Sequence, residues 1–291
     1  MNRATTNGVE IAYEAFGPPA GRPLLLIMGL GSQLINWDVE LCELFADSGH
    51  RVVRFDNRDA GLSTHFHEAG VPHFNPGPDG VLAPPPYLLE DMADDTAGLL
   101  DALGWDAAHV LGASMGGMIA QSFAIRHPSR TLSLTSIMST PSPHIGSPTP
   151  EAMAVLVTRS APERDAVVRR AIESRRVIGS PGYPADDERV ARLAGESFDR
   201  AYDPAGFARQ LAAIRGSGDR TAALRELSVP ALVIHGEADP LVRPPGGQAT
   251  ADAIPGAKLL TFPGMGHDLP RELWPDIVAA VTDLTERAHR P

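Results

Sequence analysis

The sequence predicts an α/β architecture, with a mostly parallel eight-stranded sheet, helices on both faces and one helical insertion. Three observations predict it. Short continuous apolar runs (23–28, 51–56, 109–111, 131–138, 229–235 and 258–262) alternate with stretches of helical period. Such runs are the mark of strands covered on both faces by crossover helices. The alternation is interrupted only between 144 and 225, where an Arg- and Ala-rich stretch keeps a helical period throughout. Finally, Gly112-Ala-Ser-Met-Gly116 stands between one of the apolar runs and a helical segment, as a sharp strand-to-helix turn requires.

Taken in order, Asn7-Gly8 is a hairpin signal followed by Val9-Glu-Ile-Ala-Tyr13, which alternates like a strand. These residues suggest an antiparallel edge of two strands. Pro23–Met28 reads as a strand buried on both faces and ends at Gly29-Leu30-Gly31-Ser32. Trp37–Asp47 reads as an amphipathic helix with Trp37, Leu41, Leu44 and Phe45 on one side, and it carries the single cysteine, Cys42, as a small buried residue. Arg51–Asp56 is the next strand and runs into the polar turn Asn57–Ser63. Residues 64–86 are irregular and rich in Pro and His, and His65, His67 and His73 lack the Cys partners or the i, i+4 helical spacing of a metal site. They are expected to be solvated or to line a rim. Tyr87–Leu103 is a helix with a solvated acidic face (Glu90, Asp91, Asp94, Asp95) opposite an apolar one. The strand ending in His109-Val-Leu111 then leads to Ser114. A helix follows over Met118–His127, stopped by Pro128. After the 131–138 strand the pattern changes. Residues 144–225, broken at Gly179–Gly182 and Asp203-Pro204, are expected to form a helical cap inserted after the sixth strand. The core is then made of 1–143 and 226–291, with strands at 229–235 and 258–262 and a final helix over Glu272–His289.

Bulk composition excludes several classes. With 43% apolar and 21% charged residues the chain reads as globular. No apolar run approaches the length of about 18 residues that a membrane span needs. The first residues lack the apolar core of a secretory signal, so a cytoplasmic location is expected. A net charge of −11 argues against a nucleic-acid partner. One cysteine forms no intrachain disulfide and is compatible with a reducing compartment.

The chemistry concentrates at Ser114. A serine hydroxyl is a poor nucleophile until a base takes its proton, and the base is usually a histidine held in one tautomer by a carboxylate. On a strand-to-helix elbow the partners follow in the order Ser, Asp or Glu, His. After the 229–235 strand the histidines are His235, His267 and His289. His235 precedes any acid of the following loop, and His289 lies at the end of the final helix. His267 follows a strand, in the loop Gly264-Met-Gly-His. No carboxylate follows the 131–138 strand before Glu151, which leaves Glu237 and Asp239. Asp239 is preferred because Pro240 fixes its turn. Asp268 adjoins His267, where a side chain rarely has the geometry to orient the ring. Backbone N–H groups to hold an oxyanion are expected from Met115 and from Leu30, on the loop after the Leu24–Met28 strand.

Five segments in this order carry a resemblance: Leu25–Gly31, Phe55–Ser63, Gly112–Gly117, His235–Pro240 and Gly264–His267. Together they resemble the serine α/β-hydrolase superfamily over nearly the whole chain outside the cap. Within it, Met28-Gly29, Arg58-Asp59 and Pro263-Gly-Met-Gly-His267 are similar to the aclacinomycin-methylesterase branch of polyketide-tailoring enzymes. Much of the superfamily has His-Gly where Met28-Gly29 stands, a departure that leaves the backbone donor in place. Asp56, Arg58 and Asp59 are expected to form a structural turn network. Haloalkane dehalogenases and epoxide hydrolases of similar fold use an aspartate nucleophile, so Ser114 argues against both. The expected activity is carboxylic ester hydrolysis of a small molecule through an acyl-enzyme, with no cofactor or metal. Lactone or C–C hydrolysis, or cofactor-free perhydrolysis, could use the same three residues, and a non-catalytic small-molecule receptor is a remote alternative. Tyr183, Phe198, Tyr202 and Phe207 of the cap, with Phe66 and Phe74, either line an apolar pocket or pack on their own surroundings.

Overall fold

The computed structural model describes residues 1–75, 83–158 and 161–288. Residues 76–82 of the irregular segment and His289 lie outside them. Eight strands form one sheet: β1 (Asn2–Thr6), β2 (Val9–Phe16), β3 (Arg22–Ile27), β4 (His50–Phe55), β5 (Ala108–Ala113), β6 (Thr131–Ile137), β7 (Ala231–Gly236) and β8 (Lys258–Phe262). Their spatial order is β1-β2-β4-β3-β5-β6-β7-β8. The hairpin at Asn7-Gly8 forms, and β1, β2 and β4 pair antiparallel while every later pair is parallel.

The core helices are α1 (Val39–Asp47), α2 (Leu89–Leu103), α3 (Met115–Arg126), α9 (Pro245–Ala253) and α10 (Trp274–Ala288). Alternation along the strands explains why both faces of the sheet are covered. Leu25 and Ile27 of β3 pack with α2 and α3, whereas Leu24 and Leu26 pack with α1 and α10. Between β6 and β7 lie α4 (Pro150–Val157), α5 (Arg164–Ile178), α6 (Asp187–Arg200), α7 (Pro204–Gly216) and the short α8 (Thr221–Leu224). The expected break at Asp203-Pro204 is the start of α7, with Pro204 in its first turn and the Asp203 carboxylate accepting from Ala205 N–H. Among the described residues no helix is long and apolar enough to cross a membrane.

Three local expectations are corrected. Trp37 is buried but precedes α1, and Leu44 is exposed, so the buried stripe of α1 is Leu41, Cys42 and Phe45. Burial pushes the Cys42 thiol up to about 12. The acidic face of α2 is not simply solvated. Asp95 is 2% exposed, and both its oxygens accept from the Arg58 guanidinium at 2.6 Å. Desolvation raises its carboxyl above the ordinary range against the pull of Arg58. Asp94 pairs with Arg126 and His127.

The strand order places the site. The order in which strands are added reverses at β3, whose neighbours β4 and β5 both run parallel to it, and such a switch point leaves a crevice beyond the carboxyl ends of the strands. The loop after β3 carries Leu30, and the turn after β5 carries Ser114.

Candidate active site

Ser114 sits on a strained turn between β5 and α3, with φ 57° and ψ −120°. Such a backbone is costly for a residue with a Cβ, and surrounding structure must hold it. The turn is held by its own N–H, which donates to Ile137 O at 2.9 Å, and by the Ser139 hydroxyl, which donates to Ser114 O at 2.8 Å. Close approach does the rest. A Cβ at Gly112 would strike the Gly116 carbonyl, and one at Gly116 would strike the Ile27 carbonyl of β3. Strand, turn and helix can therefore meet only with glycine at both positions.

His267 and Asp239 come to the same point from loops after β8 and β7. His267 Nε2 lies 2.9 Å from Ser114 Oγ, and its Nδ1 lies 2.7 Å from Asp239 Oδ2. A carboxylate only accepts, so Nδ1 carries the ring proton and leaves Nε2 free to accept from the serine. The other carboxylate oxygen, Oδ1, accepts from Leu241 N–H and Val242 N–H, both at 2.9 Å. Asp239 is 2% exposed, so its charge is compensated by three N–H groups rather than by water. Glu237 points elsewhere and accepts from the Thr261 hydroxyl at 2.9 Å. Asp268 also turns away from His267, toward Arg175 and the Ser180 hydroxyl. His235, at the end of β7, braces the acid's loop: its Nε2–H donates to Val242 O at 2.7 Å. Its Nδ1 has no partner among the described residues, and burial lowers its affinity for a second proton.

Leu30 lines the cavity beside Ser114, and Met115 directly follows the serine. Gly29 approaches so closely that a Cβ there would lie 3.2 Å from Ser114 Cβ. Met115 N–H opens the first turn of α3, where the helix dipole favours negative charge. The neighbouring Gly31 N–H is already used, donating to the Gln210 side-chain oxygen at 2.8 Å.

Two segments of the inter-strand helices reach into this machinery. Gln210 of α7 is one. The other is the end of α5 and the residues after it, which grip the His267 loop. His267 N–H donates to Ile178 O at 2.7 Å, Gly266 N–H donates to the Ser180 hydroxyl at 2.8 Å, and Gly182 N–H donates to Gly264 O at 2.9 Å. Sequence reasoning found neither, because a polar residue on a helix of regular period gives no sign of a partner on another element.

Above Ser114 and His267 lies a cavity of about 600 Å³. Its wall is mostly apolar, with Met28, Met118, Met138 and Met153 among the lining residues, and Arg175, Arg189, Arg215 and Asp268 also line it. Phe66, Phe74, Tyr183, Phe198, Tyr202 and Phe207 do not line it. They pack on their surroundings: Phe198 on Tyr202, Phe66 on Tyr87, Phe74 under Arg215, Phe207 against Gly31, and Tyr183 donating to Pro263 O. The turn network is internal. Asp56 pairs with Arg200, Arg58 with Asp95, and Asp59 with Arg209 and the Tyr87 hydroxyl, and none of the three lines the cavity. Among the described residues, His65, His67 and Asp203 bring possible metal-ligand atoms within 4.8 Å of one another. Asp203 Oδ2 is already engaged there by His65 at 2.8 Å and by Arg209 at 2.9 Å.

Residues 22–270 match the family described as the alpha/beta hydrolase fold. The chain belongs to that family. It is 30% identical to the rhodomycin D methylesterase DauP of Streptomyces sp. (strain C5), over 98% of this chain and 97% of that one. It is 28% identical to a putative carbamate hydrolase, RutD, of Variovorax paradoxus (strain S110), over 89% of this chain and 90% of that one. Among solved structures, an enol-lactonase from Burkholderia xenovorans LB400 superposes with a TM-score of 0.72 at 26% identity, covering 98% of this hydrolase and all 100% of the lactonase. These relatives share hydrolysis and differ in the bond they are named for.

Proposed function

We propose that this hydrolase cleaves a carboxylic ester of a small molecule through an acyl-enzyme on Ser114. The observation that carries the reading is the relay from Ser114 Oγ to His267 at 2.9 Å and from His267 to Asp239 at 2.7 Å, at the base of an apolar cavity. His267 Nε2 takes the serine proton as Oγ bonds to the ester carbonyl carbon. The carbonyl oxygen becomes an oxyanion held by Leu30 N–H and Met115 N–H. The tetrahedral species collapses, the alcohol leaves with the proton returned by His267, and an acyl group remains on Ser114. Water, activated by the same histidine, releases the acid. Asp239 holds the ring through Nδ1 and stabilises the transient imidazolium. Residues 144–225 act in this reading as a cap over a core of 1–143 and 226–291, and α4 to α7 supply part of the cavity wall. The likeness to a methylesterase supports an ester with a small alcohol.

A lactone is a cyclic ester open to the same relay, and the likeness to an enol-lactonase favours it as the second reading. The test compares wild type with Ser114→Ala on short-chain p-nitrophenyl esters, carboxylic methyl esters and lactones. Turnover of esters that falls about 10⁴-fold or more in the variant is expected. Turnover that survives Ser114→Ala sinks the assignment, and turnover confined to lactones selects the second reading.

A further inference from the structure

We propose that Gln210 of α7 is a positioning residue for the oxyanion turn and thereby controls how well the site holds the tetrahedral intermediate. The role rests on the acyl-enzyme reading above. Gly29–Ser32 is a β-turn closed by Ser32 N–H donating to Gly29 O at 3.2 Å. Gly31, its third residue, has φ +67°, and Leu30 is not among the residues with positive φ. These are the marks of a type II turn, in which the peptide between Leu30 and Gly31 is inverted relative to type I. Glycine at the third position permits both forms, so the turn itself does not choose.

Gln210 makes the choice. Its Oε1 accepts from Gly31 N–H at 2.8 Å, the N–H of the invertible peptide. Its Nε2 donates to Arg58 O at 2.7 Å, on the polar turn after β4. The two bonds fix which end of the amide faces which loop, since an N–H needs an acceptor and a carbonyl a donor. The side chain is fully buried, so no water replaces either bond. Phe207, one turn earlier on α7, lies where a Cβ on Gly31 would be, so the same helix closes the space into which the turn could relax. The charged side chains beside this amide are committed elsewhere, Arg209 to Asp59 and Arg58 to Asp95. Without the Gln210 acceptor, Gly31 N–H is left without its partner, and the Gly29–Ser32 turn that carries Leu30 N–H loses its tether to α7 and with it its fixed distance from the reacting carbonyl oxygen. A preorganised donor contributes to catalysis only while it is held in place.

The experiment measures p-nitrophenyl ester hydrolysis and inhibition by phenylboronic acid, which forms a reversible tetrahedral adduct with a serine hydroxyl. Wild type, Gln210→Met, Gln210→Glu and Ser114→Ala are compared. For Gln210→Met, kcat is expected to fall about 10- to 100-fold with KM changed less than about threefold, and the boronate Ki to rise by a similar factor. Gln210→Glu supplies a second readout. A protonated carboxyl reproduces both the acceptor and the donor of the amide, and an ionised one loses the donor. The ratio of its activity to wild type is expected to be nearest one at low pH and to fall as pH rises. A folded Gln210→Met protein with unchanged kcat and Ki overturns the role. If that variant does not fold, a Gln210→Glu ratio that is flat with pH overturns it instead. Turnover that survives Ser114→Ala overturns the acyl-enzyme reading as well, whereas Ser114-dependent turnover indifferent to Gln210→Met overturns this role alone.

Discussion

Asp239 has a specific consequence for substitution. Two backbone N–H groups hold its Oδ1, and Oδ2 faces the proton on His267 Nδ1. In Asp239→Asn the amide oxygen stays with the two N–H donors, because the NH₂ cannot accept from them. The NH₂ then points at His267 Nδ1 and favours the tautomer protonated on Nε2, which cannot accept from Ser114. The expected result is a kcat lower by about 10⁴ with little change in thermal stability, read from steady-state kinetics and a melting curve. Near-normal turnover in that variant would remove Asp239 from the relay. That Asp239 and His267, and not Glu237 or His235, meet at Ser114 was legible in the sequence because chain order and strand ends restrict the candidates so strongly. Asp95 was misread for the opposite reason. Its place on a polar helix face suggests water, while its actual neighbour, Arg58, is 37 residues away. Gln210 was invisible on the same grounds, since Gly31 lies 179 residues away in the chain.

Elements were legible to within a residue or two where apolar runs defined them, and less so where close packing overrode local preference. The helix after Ser114 starts at Met115 rather than Met118. Gly116-Gly117 are poor helix formers, but the contact of Gly116 with β3 and of Gly117 with Ser139 leaves room for nothing larger, and the helix begins through them. The junction between the residues after α5 and the His267 loop belongs to this scale, and there Ser180 is the pivot. Its hydroxyl accepts from Gly266 N–H at 2.8 Å and donates to Asp268, whose other oxygen is paired with Arg175. Ser180→Ala leaves Gly266 N–H and one Asp268 oxygen without their partners. We expect kcat to fall about tenfold or more, since small displacements of a catalytic base are costly, with KM nearly unchanged. Ser180→Thr keeps the hydroxyl and should recover most of the loss. A fall in melting temperature with kcat intact would make the contact structural only.

Across the whole molecule, two histidines tie stability to pH. His235 lies under the Asp239 loop, and His50 is buried between Phe45 O and the Thr285 hydroxyl. Desolvation lowers both below the ordinary value of 6.5. Between the lowered folded value and 6.5 the unfolded chain binds protons that the native chain refuses. Stability therefore rises with pH through that window, is fully present above it, and is lost as pH falls into it. Urea unfolding midpoints at pH 5 and pH 8 should show this, and His235→Gln should flatten the difference. An unchanged pH dependence in that variant would mean that His235 is not excluded from protonation. At this scale the sequence showed that a helical segment interrupts the core, but not where its side chains end up, because helical period records which residues share a face and not what that face meets. The answer bears on redesign. Gln210 grips the turn before α1, Ser180 and Arg175 grip the histidine loop, and Arg200 pairs with buried Asp56. A chimera that exchanges residues 144–225 for those of a relative, to borrow its selectivity, would discard all of these contacts together. The exchange is modular on paper only. Residues that line the cavity and residues that hold the Gly29–Ser32 turn and the His267 loop share this one stretch of chain, and a transplant must carry the second set along with the first.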